Sequence, residues 1–519
     1  MSVKSIEINN KNKKSSDVDV VTLYLTIFVI AICGIVYELI IGTISSYLLG
    51  DAIFQFSITI GLYMSAMGLG AYLSKFITKN LFDFFVLIEI LIGFIGGLSA
   101  LILFWTYSST DMYEIFMYFT ILFIGTMVGL ELPLLIRILE QKESLDINVA
   151  HTLGYDYIGG LIGSLIFPLI LLPFIGIIKT SCLIGILNLL VVFINYWKNF
   201  KLLRHIKSLS ILSIIVFFIL IFTLFMNNPI TNYIEQRLYR DKIIFTKQTN
   251  YQKIIITRNQ KDIRLFLDGN LQFCSIDEYR YHESLVHVPL SFIKNLENVV
   301  VLGGGDGLAV REILKYASVK QITLIDIDPE ITQISKNYTP LVEINKGSLN
   351  DPRVKIKNID AYKFLEKDLQ LYSAIIIDLP DPDNINLSKL YSKEFYQIAK
   401  KRLKKDGVIV TQSTSPFFSK QAFWCINKTL ESTDLYVYPY HVDVPSFGDW
   451  GFNMAFFYKL NITDLKIKVP TKFLNTEVVK TLFIFSPDIL LDKDEIKVNS
   501  IIEPVILNYY ITGWNNISE

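Results

Sequence analysis

The chain has 519 residues, too many for one ordinary domain, and its 49 Lys and Arg balance its 49 Asp and Glu. Zero net charge argues against nucleic acid as a partner, because phosphate binding concentrates Lys and Arg on one surface. Cys33, Cys182, Cys274 and Cys425 are widely spaced with no C-x-x-C pair, which excludes a zinc pattern and a disulfide framework and suits a reducing compartment for the soluble half.

Residues 1–19 read as an N-terminal tail carrying Lys4, Lys11, Lys13 and Lys14. Residues 20–228 read as an α-helical transmembrane bundle of about seven spans, since roughly 20 apolar residues suffice to cross a bilayer. The stretches are Val20–Leu49, Ile53–Phe76, Leu81–Tyr107, Met112–Leu139, Tyr155–Pro173, Ile177–Trp197 and Leu209–Met226. The first is too long for a cleaved signal peptide and is read as retained. Small residues recur at helical spacing: Gly61, Gly68 and Gly70, then Gly93, Gly96 and Gly97, then Gly159, Gly160, Gly163 and Ser164. Such residues let helix backbones approach closely in lipid, so a packed bundle is expected rather than separate anchors. Glu38, Glu89 and Glu131 fall inside spans, with Arg137 one to two turns beyond Glu131. Ionisable groups in lipid are costly, and the choice lies between a functional site and a structural Glu131–Arg137 pair inside the bundle.

Basic residues lie at the N-terminus, at Lys75 and Lys79, at Arg137 and Lys142, and in the run Lys198, Lys201, Arg204 and Lys207. The positive-inside rule places all of them in the cytoplasm, and seven crossings then put the C-terminal half outside. The chemistry below needs a cytosolic substrate, so the expectation is a multi-pass protein of the cell membrane with its catalytic domain in the cytoplasm. Either one segment does not cross or the charge rule fails here.

Residues 229–295 read as a connector helix, Ile230–Arg240, and a small antiparallel β unit. Its strands are expected at Lys242–Thr246, Lys253–Arg258 and Ile263–Leu267, the last closing on the turn Asp268-Gly269-Asn270. Residues 296–519 read as an α/β Rossmann-like domain of the class I methyltransferase kind, with a C-terminal tail. Val299-Val300-Val301-Leu302 is the continuous apolar run of a buried parallel strand. Gly303-Gly304-Gly305-Asp306-Gly307 follows, and then a helical pattern from Leu308 to Tyr316. Strand, glycine turn and helix in that order form a nucleotide-binding βα unit.

The next strand ends in Asp326, placed to accept ribose hydroxyls. Further acidic strand ends are expected at Ile359-Asp360-Ala361 and at Asp378. One such Asp is as readily a helix cap as a ligand. Four in register point to one rim at the carboxyl ends of the strands. Asp306 in the glycine turn would repel a diphosphate, so a cationic sulfonium nucleoside fits better than NAD. Asp381 and Asp383 add further negative charge, which suits a polycationic second substrate.

These segments resemble the spermidine synthase (polyamine aminopropyltransferase) family over about residues 240–459. The resemblance rests on Tyr251-Gln252, Leu267-Asp268-Gly269-Asn270-Leu271-Gln272, Asp277-Glu278-Tyr279-Arg280-Tyr281-His282-Glu283, the glycine turn, Asp326-Ile327-Asp328, Asp360-Ala361, Asp378 with Asp381, and Gln412. The spans, including Tyr37-Glu38-Leu39 and Tyr47-Leu48-Leu49-Gly50, look like the membrane-embedded, multi-span branch of that family, as does the tail from about Phe473 to Trp514.

The resemblance implies transfer of an aminopropyl group from decarboxylated S-adenosylmethionine, a co-substrate rather than a cofactor, to a diamine. Putrescine is the leading acceptor, giving spermidine and methylthioadenosine. The donor would be lined by Gln252, His282, Gly303, Gly305, Asp306, Asp326, Asp360 and Ala361, with Asp326 standing where soluble relatives usually carry Glu. Asp378 would be the general base, Tyr281 would hydrogen-bond the attacking amine and Asp381 its ammonium, with Gln412 beside them. No metal is implied. At the acceptor end Val444-Pro445-Ser446-Phe447-Gly448-Asp449-Trp450-Gly451 departs from the Pro-Thr-Tyr loop of soluble relatives: Phe447 and Trp450 offer aromatic faces to an ammonium, or are ordinary core. The β unit, residues 242–275, is where soluble relatives pair, which makes a homodimer one expectation. Two other readings stay open at this point: an S-adenosylmethionine-dependent methyltransferase, and a polyamine transporter or sensor whose synthase-like domain only binds ligand.

Overall fold

The computed structural model describes residues 19–49, 52–110, 112–142, 144–226, 233, 235–462 and 465–518. The basic N-terminal tail, Gly50 and part of the expected connector Ile230–Arg240 lie outside them. The chain divides into two compact units, Met1–Arg240 and Asp241–Glu519.

The first unit is a helical bundle of α1 (Val20–Leu49), α2 (Ala52–Leu73), α3 (Leu81–Ser109), α4 (Tyr113–Leu139), α5 (Leu145–Ile166), α6 (Ile177–Lys198) and α7 (Ile206–Phe225). Among the described residues, seven helices are long and apolar enough to cross a membrane. The fifth begins at Leu145, ten residues before the apolar run at Tyr155, because its first turns are polar. There Asn148 is buried and satisfied within the bundle, its Nδ2 donating to the Ile136 carbonyl. The helix then continues as a π-helical segment, Phe167–Ile175.

Glycines set the helix crossings. A Cβ at Gly185 would lie 2.5 Å from the Gly93 carbonyl oxygen, so α3 and α6 touch backbone to backbone. Gly61 and Gly68, expected at helix contacts, instead face open space. Arg137 does not pair with Glu131. Its guanidinium donates to the carbonyls of Pro133, Ile77 and Ser74, which closes the end of α4 on the turn after α2.

The second unit opens with a four-stranded antiparallel sheet, β1 (Lys242–Gln248), β2 (Lys253–Asn259), β3 (Asp262–Leu267) and β4 (Asn270–Cys274), in that order. The fourth strand was not expected from sequence. Leu271, Gln272 and Phe273 alternate too briefly to register alone, and pairing with β3 supplies the order. Ile254, Ile256, Ile263, Leu265 and Phe273 form a core with Leu308, Ile331, Ile334 and Leu341, so the small sheet packs directly onto the larger domain.

That domain comprises α8 (Glu278–Leu290), β5 (Asn298–Gly303), α9 (Leu308–Ile313), β6 (Gln321–Asp326), α10 (Pro329–Asn337), β7 (Val354–Asn358), α11 (Ala361–Lys367), β8 (Tyr372–Asp378), α12 (Lys393–Lys401), β9 (Leu403–Gln412), α13 (Lys420–Glu431), β10 (Tyr436–Val444), β11 (Gly448–Phe456) and α14 (Val505–Ser518). The sheet order is β10-β11-β9-β8-β5-β6-β7. The five strands from β7 to β9 are mutually parallel, and β11 and β10 add antiparallel pairing at one edge. Val299–Leu302 and Ile375–Ile377 are fully buried, as expected for strands covered on both faces. The α9 helix stops at Ile313 rather than reaching Tyr316, and the chain continues in turns through Tyr316 and Val319. The sheet reverses direction of progression between β5 and β8, and open α/β sheets bind ligands outside the carboxyl ends of strands at such a point.

Candidate active site

The strand order brings the expected acids side by side. Asp306 follows β5, Asp326 ends β6 and Asp378 ends β8. Gly303, at φ 80°, pairs with Asp378 on the last rung between β5 and β8, and a Cβ there would fall 2.0 Å from the Asp378 carbonyl oxygen. A Cβ at Gly305 would fall 2.4 Å from Asp326 Oδ2, so the glycine turn is shaped by the carboxylates around it.

Asp326 accepts from the backbone N–H of Gly305 at 3.1 Å and of Asp328 at 2.9 Å. Burial pushes its pKa up to about 7 against those two bonds, with the neighbouring charges of Asp328 and Asp306 adding to the rise. Asp306 accepts from the Leu308 N–H at 2.8 Å, and burial raises it to about 6 although the charge of His282 opposes the shift. Gln252 reaches this end of the sheet through Asp328, donating its Nε2 to Asp328 Oδ2 at 3.0 Å.

Asp360 is placed differently from the sequence expectation. β7 ends at Asn358, and Asp360 is the N-cap of α11, accepting from the Lys363 N–H at 2.9 Å and pairing with Lys389 at 3.3 Å. Both of its oxygens have partners within the protein. Ala361 is buried in the first turn of the same helix.

Asp378 accepts a hydrogen bond from the Tyr281 hydroxyl at 2.6 Å. Burial raises its pKa, while the positive charge of His282 and the Tyr281 bond pull it down. His282 is 3% exposed, and its Nδ1 lies 2.8 Å from the Glu278 carbonyl and 2.9 Å from Glu278 Oε2. Burial opposes its charged form, but the Glu278 bond and charge, with Asp306 and Asp378 beyond, hold its pKa up to about 9. Glu278 is in turn gripped by both terminal nitrogens of Arg311, at 2.8 and 2.9 Å. Arg311 also bonds Glu312, whose other oxygen meets His287. One imidazolium among two carboxylates is therefore the end of a buried chain of alternating charges.

Asp381 sits in a separate cradle. Gln412 Nε2 donates to its Oδ1 at 3.0 Å and Thr414 to its Oδ2 at 3.1 Å, and Tyr510 of α14 adds a third hydrogen bond. Burial nevertheless lifts it to about 6. Gln412 is fixed from behind by the Tyr391 hydroxyl and the Leu379 carbonyl. Phe447 and Trp450 lie with ring centroids 5.3 Å apart, and Phe447 lies 6.4 Å from Tyr281. Both rings also pack against the main core. The Trp450 Nε1 is buried without a partner. Phe418 backs the same loop, since a Cβ at Gly448 would meet its ring at 2.9 Å, and Trp514 of α14 lies 5.1 Å from Phe418.

A spermine/spermidine synthase domain is matched over residues 278–467. The polyamine aminopropyltransferase of Oceanobacillus iheyensis is 40% identical over 516 residues, covering 98% of this chain and 100% of its own length. The chain belongs to the polyamine aminopropyltransferase family. The corresponding protein of Leptospira interrogans is 41% identical over 497 residues, covering 95% of this chain and 99% of the relative. A spermidine synthase crystal structure from Thermotoga maritima matches 47% of this chain and 84% of its own at 28% identity, with a TM-score of 0.44.

The cluster contains residues that sequence reasoning gave no role. Glu278 was legible from its i,i+4 spacing to His282, which puts both on one face of α8. Thr414 and Tyr510, which bond Asp381, and Tyr391, which holds Gln412 against it, had no such signal, because only tertiary contact brings them to the acid.

Replacing Glu278 with Gln leaves Arg311 and His282 without their shared anion. The ligand-free protein should lose roughly 3 kcal/mol at neutral pH, the cost of breaking a buried pair, read as a lower unfolding midpoint. The His282 part of that loss has a defined sign. Its raised folded-state pKa contributes fully below about pH 6.5 and fades as pH passes about 9. The gap between wild type and variant should narrow over that window, and a constant gap would remove His282 from the network.

Proposed function

We propose that this aminopropyltransferase moves the aminopropyl group of decarboxylated S-adenosylmethionine onto putrescine, releasing spermidine and methylthioadenosine. The observation that carries the reading is the pairing of Asp378, tied to Tyr281, with a second carboxylate, Asp381, held apart from it in its own cradle. A diamine has two ammonium ends, and the site offers one acid to each.

An aliphatic ammonium has a pKa near 10.4 by analogy with Lys, so nearly all of it is protonated at neutral pH. Asp378 takes the proton of the attacking amine and Tyr281 orients the freed lone pair. The nitrogen then displaces the sulfonium at the propyl carbon, the C–S electrons return to sulfur, and neutral methylthioadenosine leaves. General-base help of this kind contributes on the order of 10²–10⁴-fold, and holding the two reactants in line supplies more. Asp381 anchors the distal ammonium, with the faces of Phe447 and Trp450 alongside. Asp326 accepts the ribose hydroxyls, and Asp306 receives the donor's aminopropyl ammonium where a methionine carboxylate would meet negative charge. His282 keeps Asp306 and Asp378 ionised by standing between them in charge.

The bundle is proposed to lie in the cell membrane, with the catalytic unit facing the cytosolic substrates. Its apolar outer faces support this: Ile211, Ile214, Ile215, Phe218, Phe222 and Phe225 of α7 are all exposed, a surface suited to lipid rather than water. The full-length protein should resist carbonate extraction from cell membranes, and a C-terminal tag should be protease-sensitive in inside-out vesicles only. Release by carbonate would refute the span assignment, and digestion in right-side-out vesicles would refute the orientation.

Asp378→Asn should keep donor affinity within a few-fold of wild type and lower methylthioadenosine release by at least 10²-fold. Turnover near wild type would sink the assignment of the base, and equal competition by carboxylated and decarboxylated donors would favour methyl transfer instead. Tyr510→Phe removes one donor from Asp381, whose pKa then rises further from about 6. The acid limb of kcat/KM for the amine should move to higher pH by about one unit, since a hydrogen bond to a charged group is worth roughly 1.5–3 kcal/mol. KM for the sulfonium donor should stay put. An unchanged acid limb would detach Asp381 from amine binding.

A further inference from the structure

At the centre of the bundle, Glu89 of α3 and Glu131 of α4 are 0% and 3% exposed, and their carboxyl groups come within hydrogen-bonding reach of each other. Asn188 of α6 donates its Nδ2 to Glu89 Oε2 at 2.9 Å. The backbone contact of Gly93 with Gly185 fixes that meeting, because Glu89 lies four residues before Gly93 and Asn188 three after Gly185. Of the buried polar atoms without a hydrogen-bond partner among the described residues, four belong to this cluster: Glu89 Oε1, Glu131 Oε1, Asn188 Oδ1 and the hydroxyl of Tyr37 on α1. Tyr37 and Asn188 are themselves 0% and 1% exposed, and Tyr37 stands within charge range of both glutamates. Arg137, the basic residue further along α4, is committed to backbone carbonyls.

Buried polar groups are normally satisfied, and buried carboxylates are normally paired with a cation. Here three carbonyl- or carboxylate-type acceptors and one hydroxyl converge from four helices with a donor deficit. A proton shared between the two carboxyls serves Glu89 and Glu131 but leaves Asn188 Oδ1 unsatisfied. A cation would supply the missing partner: an alkali ion takes oxygen ligands from several sides, and an N–H₃⁺ group brings three donors. We propose that Tyr37, Glu89, Glu131 and Asn188 form a binding site for one compact monovalent cation, an alkali-metal ion or the primary-ammonium end of an amine. The site draws on the bundle alone and does not rest on the aminopropyl-transfer reading.

The test is equilibrium binding to the full-length protein in lipid nanodiscs at pH 8, with radiolabelled sodium, rubidium and putrescine, and choline as ionic-strength control. Wild type is compared with Glu131→Gln and Glu89→Gln, and methylthioadenosine release confirms that each variant is folded. The proposal expects either about one equivalent of alkali ion, or one equivalent of putrescine beyond that held at the catalytic site. In both variants that equivalent should be lost or weakened at least tenfold, with transfer activity retained. No saturable binding beyond the catalytic site would overturn it and leave a shared proton as the bundle's only ligand. Binding that is unchanged in both variants would overturn it equally. If wild type binds the cation but transfers no aminopropyl group, the catalytic reading fails and this one stands.

Discussion

The last rung between β5 and β8 constrains the whole catalytic unit. Gly303 pairs there with Asp378, with no space for a side chain between the Gly303 Cα and the Asp378 carbonyl. That contact puts the start of the glycine turn against the end of the neighbouring strand, so Asp306 and Asp378 project from adjacent strand ends. Asp326 joins them because β6 flanks β5 on its other side, and Gly305 has no Cβ to push its carboxylate away. A sheet with the same strands in another order would scatter these acids.

Gathering acids at one rim has an electrostatic consequence. Burial raises Asp306, Asp326, Asp378 and Asp381 together, and the charge of Asp378 makes Asp306, and that of Asp306 makes Asp326, harder still to ionise. The protein answers with one cation, His282, and spends a buried network on keeping it charged. Glu278 suffers the same burial penalty as the other acids, but the bonds and charges of His282 and then of Arg311 hold it below the usual carboxylate range. The compensation is incomplete by design of the site: one imidazolium faces several carboxylates, and the remaining positive charge is left to ligands. On the proposed reading a sulfonium and a diamine supply it.

Sequence alone carried the strands and the acids at their ends, because a buried parallel strand reads as a continuous apolar run and its last residue is where that run breaks. The run Ile375–Ile377 followed by Asp378 is the clearest case. The same rule misplaced Asp360, where an Ile before the acid imitates a strand end although β7 stops at Asn358 and Asp360 caps the next helix. Local periodicity also missed what tertiary contact decides. Leu145 starts α5 in a polar stretch whose buried Asn148 bonds the Ile136 carbonyl, and Arg137 prefers three carbonyls to Glu131. Tyr510 is the extreme case: nothing near it in the chain hints at Asp381.

Asp378 and Asp381 are equally buried in kind yet differ in how they are held, and the difference separates their roles. Asp381 accepts from an amide, a hydroxyl and a phenol. A carboxylate so fully bonded is fixed in place, and a proton arriving on it would have to displace a donor. Asp378 accepts one bond, from Tyr281, on Oδ1. Its other oxygen is packed beside Gly304, where an added Cβ would fall 2.9 Å from Oδ2. The glycine thus keeps clear the side of the carboxylate that faces the donor turn. A base needs a lone pair open to the amine, whereas an anchor needs a fixed charge. On the proposed reading the hydrogen-bond count favours Asp378 for the first task and Asp381 for the second, and Tyr281, bonded to Asp378 and with its ring tilted 6.4 Å from that of Phe447, would lie between the two ends of the diamine.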